Sequence, residues 1–95
     1  MSIRVDNVTS VSNALSTTSE TIAGARPTRR QLTLINTDAA INMYINHSAT
    51  GTAANATSAN FTLGPGKQIV VVGTGIWTAL AASGTPTLSV MDEYD

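Results

Sequence analysis

Cysteine is absent from this 95-residue sequence, and charged residues make up only 12% of it. Without cysteine, neither a disulfide nor a thiolate-bound metal can stabilise the fold. A domain of this length buries only about 60–65% of the surface that its unfolded chain exposes, so its hydrophobic core is small. Burial of surface against partner subunits is the remaining common way to stabilise such a domain.

The scarcity of positive charge and of long apolar runs excludes two classes of partner. The formal net charge of −1 gives no electrostatic footprint for DNA or RNA. The apolar run Ile69 to Val72 is far shorter than the ~20 residues of a membrane span. The N-terminal residues also lack the cationic lead and long apolar stretch of a secretory signal. The sequence therefore predicts a protein made in the cytoplasm, with no nucleic-acid partner and no membrane partner.

What the sequence does contain is a series of short β-type segments separated by Gly, Asn, Asp and Pro. These segments are Gln31–Asn36, Asn42–Asn46, Asn60–Leu63, Gln68–Val72, Ile76–Ala81 and Thr87–Met91. Strands that recur about every 8–12 residues, with turn chemistry between them, favour a sandwich or barrel. With a further strand expected in Ser16 to Ile22, the predicted fold is all-β, a small antiparallel β-sandwich or barrel of about 7 strands.

Residues 1–15 differ in character from the rest. They are polar with scattered apolar side chains, among them Ile3, Val5 and Val8. Ser, Thr and Asn are poor helix-interior residues and Thr favours strands, so we expect an extended segment. We interpret residues 1–15 as an N-terminal arm that reaches a neighbouring subunit or, alternatively, as a frayed tail. Residues 16–95 are then the β-sandwich or barrel domain.

Period-2 patterns and turn residues assign faces and connections. Leu32 and Leu34 share one face of their segment, and Met43 and Ile45 share one face of the next, so these side chains are expected in the core. The run from Gly64 to Lys67 fits a type II turn, with Gly66 at the position that needs a positive φ. The short runs 37–40 and 73–75 are expected to join hairpin neighbours.

Catalytic patterns are weak. His47 is the single histidine, and no G-x-S-x-G elbow accompanies it. Asp92, Glu93 and Asp95 lack the ligand spacing of a calcium loop and are interpreted as a solvated acidic tail. The sequence therefore predicts no enzyme activity, no metal site and no cofactor. The long loop from His47 to Ser58 has either a binding role or none.

Two groups of residues are candidates for an interface. Arg26, Arg29 and Arg30 form the one basic cluster, which is either a solvated hinge or a contact with an acidic partner surface. Tyr44 and Trp77 could stack on a sugar if they were exposed. Trp77 fits the core or a subunit interface better, because the chain has only four aromatic residues in all.

A resemblance rests on the order of these segments. The stretches that carry it are Thr21-Ile22, Arg29-Arg30-Gln31-Leu32-Thr33-Leu34-Ile35-Asn36, Tyr44-Ile45, Phe61-x-Leu63-Gly64-Pro65-Gly66, Ile76-Trp77-Thr78-Ala79 and Ser83-Gly84 followed by Leu88-Ser89-Val90. From about Ser16 to Val90 the chain resembles small structural proteins encoded by tailed bacteriophages. Residues 1–15 carry no part of this resemblance.

The resemblance implies a virion component that is made in the host bacterial cytoplasm. It points to a capsid decoration or cement protein, which binds the major capsid protein or another virion protein and bridges neighbouring capsid subunits. A homo-oligomer is also implied, with a trimer favoured because cement proteins of this kind often occupy three-fold sites. The alternative is a carbohydrate-binding or host-recognition module of the tail or head fibre.

Overall fold

The computed structural model describes residues 7–47 and 59–95, which form eight β-strands. The strands are β1 (Asn7–Ala14), β2 (Glu20–Ala23), β3 (Arg29–Asn36), β4 (Met43–His47), β5 (Phe61–Leu63), β6 (Gln68–Val71), β7 (Trp77–Ala81) and β8 (Thr87–Tyr94). Sheet A has the strand order β1-β8-β3-β6, and sheet B has the order β2-β7-β4-β5. All neighbouring strands are antiparallel. The two sheets pack as a β-sandwich, which confirms the predicted fold class.

The topology is that of one long hairpin rolled up on itself. Strand β1 pairs with β8, β2 with β7, β3 with β6, and β4 with β5. The first half of the chain therefore runs antiparallel to the second half. Two further pairings, β3 with β8 and β4 with β7, join these hairpin arms into the two sheets. Eight strands connected in this way form a jelly roll.

The prediction that residues 37–40 and 73–75 join hairpin neighbours is wrong. These short connections carry the chain from one sheet to the other, since β3 and β6 lie in sheet A whereas β4 and β7 lie in sheet B. A turn motif fixes a change of direction, but a sandwich also permits the chain to cross between layers at that turn. Among consecutive strands, β4 and β5 are the pair that the structure places side by side.

The core lies between the sheets and follows the predicted face assignment. Its fully buried members include Leu32 and Leu34 from sheet A and Met43 and Ile45 from sheet B. The remaining core residues are Leu15, Ile22, Ala23, Leu63, Trp77, Ala79, Ala81, Leu88 and Val90. Strand side chains alternate, so Leu32, Leu34, Met43 and Ile45 project inward at every second position. The adjacent Ile22 and Ala23 are both buried, where β2 has a register shift.

The structure corrects the picture of a free arm for residues 7–14. They are extended, as expected, but they form β1 and pair with β8 along its whole length, from Asn7 opposite Tyr94 to Ala14 opposite Thr87. Leu15, at the predicted domain boundary, is fully buried in the core. The boundary drawn after residue 15 therefore cuts through the sandwich. Ile3 and Val5 lie outside the described residues.

Asn36 ties the two sheets together at one end of the sandwich. Its side-chain amide donates to the carbonyls of Ile41 and Leu63, at 2.8 and 2.9 Å. Its main chain accepts from the N–H of Gly66 and donates to the carbonyl of Lys67, both at 2.9 Å. Asn36 is fully buried, so these bonds satisfy polar groups that would otherwise be costly to bury.

The turn after β5 has the predicted geometry. The N–H of Lys67 donates to the carbonyl of Gly64 at 3.1 Å, and Gly66 has a φ of 69°. A side chain at Gly66 would meet no atom within 4 Å of its Cβ, so the demand for glycine there comes from the backbone. Left-handed backbone costs other residues roughly 1–2 kcal/mol.

We predict that Gly66→Ala lowers the free energy of unfolding by about 1–2 kcal/mol. Gly24→Ala is the matched control, because a Cβ at Gly24 also has open space but Gly24 has no left-handed φ. Denaturant unfolding of the two variants measures the difference. Equal stability of the two variants would show that residue 66 is not held in the left-handed region.

Candidate interaction surface

Arg29 is a buried cation whose hydrogen-bonding capacity is fully used. Its side chain has no exposed surface. Nε and Nη2 donate to the two carboxylate oxygens of Asp92, at 2.9 and 3.2 Å. Nη1 donates to the carbonyls of Gly73 and Gly75, both at 2.9 Å, and Nη2 donates to the carbonyl of Gly24 at 2.6 Å. A guanidinium has five N–H donors, so each one has a partner.

These bonds make Arg29 a structural residue and correct its assignment to an interface. They connect β3 to β8 and to the loops that precede β3 and β7. Asp92 is likewise buried in β8, and the acidic C-terminal segment is not a solvated tail. Of the other acidic residues there, Glu93 accepts from Gln31, and Asp95 accepts from Arg30. The acidic surface that the arginines contact is thus part of the same chain.

Arg26 and Arg30 remain partly accessible. The Arg26 side chain is 32% exposed, and its Nε lies 3.3 Å from Asp92 Oδ2. Its guanidinium carbon lies 3.5 Å above the centre of the Tyr94 ring, a cation–π arrangement. The Arg30 side chain is 49% exposed and forms an ion pair with Asp95. A partner could reach these two side chains but not Arg29.

Tyr94 connects Arg26, and through it the buried Asp92, to strand β1. Its hydroxyl lies 3.1 Å from Thr9 Oγ1. The hydrogen bond with Thr9 and the nearby positive charge of Arg26 favour the phenolate, and together they lower the pKa of Tyr94 below its ordinary value of 10.0. The pKa of Tyr94 therefore depends on whether β1 lies against β8.

Trp77 lies in the core and not on the surface. It is 4% exposed, and its ring Nε1 donates to the carbonyl of Gly73 at 3.0 Å. The ring centroids of His47 and Phe61 lie 4.7 and 6.2 Å away. A Cβ at Gly73 would come within 2.8 Å of His47 Nε2 and 2.9 Å of Trp77 Cζ2, so glycine is required there for space. Trp77 therefore offers no stacking platform for a sugar.

Tyr44 lies in β4 of sheet B. Tyr44 is half-buried and lies opposite Leu80 and Thr62 in sheet B. Residues 48–58 of the predicted loop lie outside the described residues. Its base is closed by side chains, because the His47 N–H donates to Asn60 Oδ1 and the Asn60 N–H donates to Asn46 Oδ1, at 2.8 and 3.2 Å.

The outer face of sheet A is the surface that sequence reasoning missed, apart from Val8. It presents Val8, Val70, Val72 and Met91, which are 55%, 49%, 71% and 36% exposed. The register places Ser10, Met91, Thr33 and Val70 in one row across the four strands. A groove of about 310 Å³ lies over β1, β8 and β3, and Ser10, Met91, Thr33 and Ile35 are among its lining residues. We call this surface, made of Val8, Ile35, Val70, Val72 and Met91, the apolar outer face.

A signal for the apolar outer face was present in the sequence. Four consecutive apolar residues, Ile69 to Val72, cannot all point inward from a strand, because side chains alternate between faces. Two of them must face outward, and these are Val70 and Val72. Large exposed apolar patches mark interaction sites more often than isolated exposed side chains do.

Within residues 7–47 and 59–95, the structure brings together no group of three or more metal-ligating His, Asp or Glu side chains. The same residues contain no helix with the length and apolar character needed to cross a membrane.

Comparisons with known proteins bear on the fold. A scan of protein families finds no match, and a search of curated proteins finds none at a significant level. Among solved structures, the chain is similar to one from work titled "Bacillus endospore appendages form a novel family of disulfide-linked pili". The similarity has a TM-score of 0.53 at 13% sequence identity, and it covers 94% of this chain and 87% of that chain. It supports the two-sheet β-sandwich fold.

We predict that Arg29→Met destabilises the fold by about 3–5 kcal/mol, because the buried Asp92 carboxylate loses its two hydrogen bonds from Arg29 and keeps the longer 3.3 Å contact with Arg26. Arg30→Met is the matched control, since the neighbouring arginine makes an exposed ion pair and its loss costs under about 1 kcal/mol. Denaturant unfolding measures both. The double variant Arg29→Met with Asp92→Leu should recover part of the loss, because it also removes the buried carboxylate. Equal stability of the two single variants would contradict the structural role of Arg29.

We also predict that Thr9→Val raises the pKa of Tyr94 towards its ordinary value, because the phenolate loses a hydrogen bond. The lowered folded-state pKa stabilises the fold only at alkaline pH, above the unfolded value, so stability at neutral pH is not affected through this group. Absorbance titration in a Tyr44→Phe background isolates Tyr94. Ser10→Ala, adjacent on the opposite face, serves as the control. An unchanged titration in Thr9→Val would mean that β1 does not hold Thr9 against Tyr94.

Proposed function

We propose that this chain is a virion structural protein that decorates the capsid of a tailed bacteriophage. The observation that carries the proposal is the apolar outer face, whose four most exposed members are three valines and a methionine. The proposed partner is the major capsid protein or another virion protein. Docking of this face removes apolar surface from water, and each Å² buried contributes roughly 25 cal/mol to the binding free energy.

The composition supports a docking role. Hydroxyl side chains are abundant, with Ser and Thr together contributing 24 of 95 residues. Ser10, Ser12 and Ser89 lie beside the apolar residues in the groove. Hydroxyls are cheaper to remove from water than charged groups, and interface cores are depleted in charge. A decoration protein of this kind would bridge neighbouring capsid subunits, and repetition over many equivalent sites would add the small individual contributions.

The structural neighbour supports the broader class. Its title describes pili, which are assemblies of repeated subunits, and its fold extends over nearly all of this chain. A filament subunit is therefore the second candidate function. Disulfide linkage, which that title names, is not open to this cysteine-free sequence, so any filament would rest on noncovalent contacts.

The recognition alternative relied on Trp77 or Tyr44 as a stacking surface, and Trp77 does not support it. A sugar-stacking site needs an exposed aromatic face, whereas Trp77 is 4% exposed and hydrogen-bonded in the core. Both proposed functions are structural and require no catalytic group.

The experiment is co-sedimentation of the purified protein with empty capsids of a phage that encodes this chain. Met91→Lys places a charge in the middle of the apolar outer face and should weaken binding by about tenfold or more. Thr62→Lys, at an exposed position of sheet B, is the control and should bind like the parent. Unaltered binding of Met91→Lys would overturn the role of this face. Absence of capsid binding by the parent, together with binding to an immobilised glycan, would favour the recognition module.

A further inference from the structure

Within residues 7–47 and 59–95, the β1 edge of sheet A has no covering strand. Proteins usually protect edge strands by shortness, charge, proline or bulges. Strand β1 is eight residues long, contains no charged residue and no proline, and pairs with β8 without a register shift. By contrast, the edge strands of sheet B are four and three residues long, and β2 carries a register shift. An edge like β1 is open to pairing with another strand.

The direction of the strands selects a complementary edge within the same molecule. Sheet A is antiparallel throughout and has four strands, so β1 and β6 at its two ends run in opposite directions. When a second copy is placed beside the first in the same orientation, its β1 lies antiparallel to β6 of the first copy. The antiparallel pattern then continues without interruption from one copy to the next.

The register of sheet A also continues into the second copy. One row across the outer side runs Ser10, Met91, Thr33, Val70, so the next residue in that row would be Ser10 of the second copy. Two residues further along, and one residue beyond the end of β6 at Val71, the same register extended would set Val8 of the second copy opposite Val72.

The row of residues on the inner side of sheet A also continues into the second copy. There the row Val11, Val90, Leu34, Ile69 continues to Val11 of the second copy. Apolar side chains therefore meet at Val11 and Ile69 on the inner side and at Val8 and Val72 on the outer side, whereas Val70 meets Ser10.

This pairing accounts for exposed apolar groups at both edges together. Val72 and Val8 are the two most exposed large apolar side chains of the described residues, at 71% and 55%. They would meet as a cross-strand pair. Val70 and Val11, at 49% and 48%, would also become covered. Cross-strand pairs of β-branched residues are a main source of stability between strands.

We propose that copies of this chain associate head to tail by pairing β1 of one copy with β6 of the next, with Val8 opposite Val72. The contact is heterologous, so successive copies either close into a ring or continue as a filament. Pairing of only about five residues from each copy is small beside a standard interface of about 1,200–2,000 Å², so the association depends on concentration. The proposal concerns contacts between copies and does not depend on which virion protein the apolar outer face binds.

The test uses the absence of cysteine. A variant with Val8→Cys and Val72→Cys has two thiols that lie on opposite edges of one molecule but would face each other between molecules. Directly opposed residues of antiparallel strands have Cα atoms about 4.5–5.5 Å apart, which a disulfide can span. The control combines Val8→Cys with Thr62→Cys, which lies in sheet B. Both are oxidised at several protein concentrations and separated on a non-reducing denaturing gel.

The expected result is a ladder of dimers, trimers and larger covalent species for the Val8/Val72 pair, absent for the control and lost on reduction. A covalent ring of fixed size also supports the proposal. Val8→Cys alone should give no dimer. The proposal would be overturned by a ladder equally strong in the control, or by monomer alone from the Val8/Val72 pair. Light scattering of the parent that returns a dimer in place of larger species would point to two-fold β1–β1 pairing and also reject it. Capsid binding of Met91→Lys is read separately, so either proposal can fail alone.

Discussion

The buried ion pair between Arg29 and Asp92 is the interaction on which the rest of the sandwich depends. Placing a guanidinium in a protein interior is costly unless every donor has a partner. Here a carboxylate takes two N–H groups, and the carbonyls of three glycines take the other three. The pair therefore fixes the positions of two loops relative to the central strands of sheet A. Those loops lead into β3 and β7, so the two sheets are aligned through one side chain.

Gly73 has two structural roles. Its carbonyl accepts from both Arg29 and Trp77, and its missing side chain leaves room for the rings of His47 and Trp77. The small core thus gains specificity from polar contacts to the backbone as well as from packed apolar side chains. Asn36 performs a similar task at the turn after β5, where its amide joins both sheets. In a domain this small, a few polar residues with all their hydrogen bonds made fix the positions of strands and loops. A larger core would do this by apolar packing alone.

The rolled-hairpin topology explains where the interaction surfaces lie. Because the first and second halves of the chain pair along their length, β1 is left at one edge of sheet A and β6 at the other. Most of the exposed large apolar side chains, namely Val8, Val11, Val70, Val72 and Met91, lie on sheet A or at its two edges, whereas Phe61 and Ile76 lie elsewhere. A fold by itself does not assign a function, and jelly rolls serve many. The placement of exposed valines on an uncharged edge is a property of this sequence, and it is what favours a structural role.

The sequence by itself determined the all-β class, most strand positions and the inward faces of β3 and β4, because alternation with a period of two and turn residues are local signals. It also determined the left-handed Gly66, since the Pro-Gly turn requires that geometry locally. Tertiary structure alone decided that turns 37–40 and 73–75 cross between sheets, because a turn motif does not say which layer the next strand joins. It also decided the roles of Arg29 and Asp92, which are 63 residues apart and meet only when β3 lies beside β8. Long-range pairing likewise made residues 7–14 an edge strand, since their polar pattern is the same whether they hang free or complete a sheet.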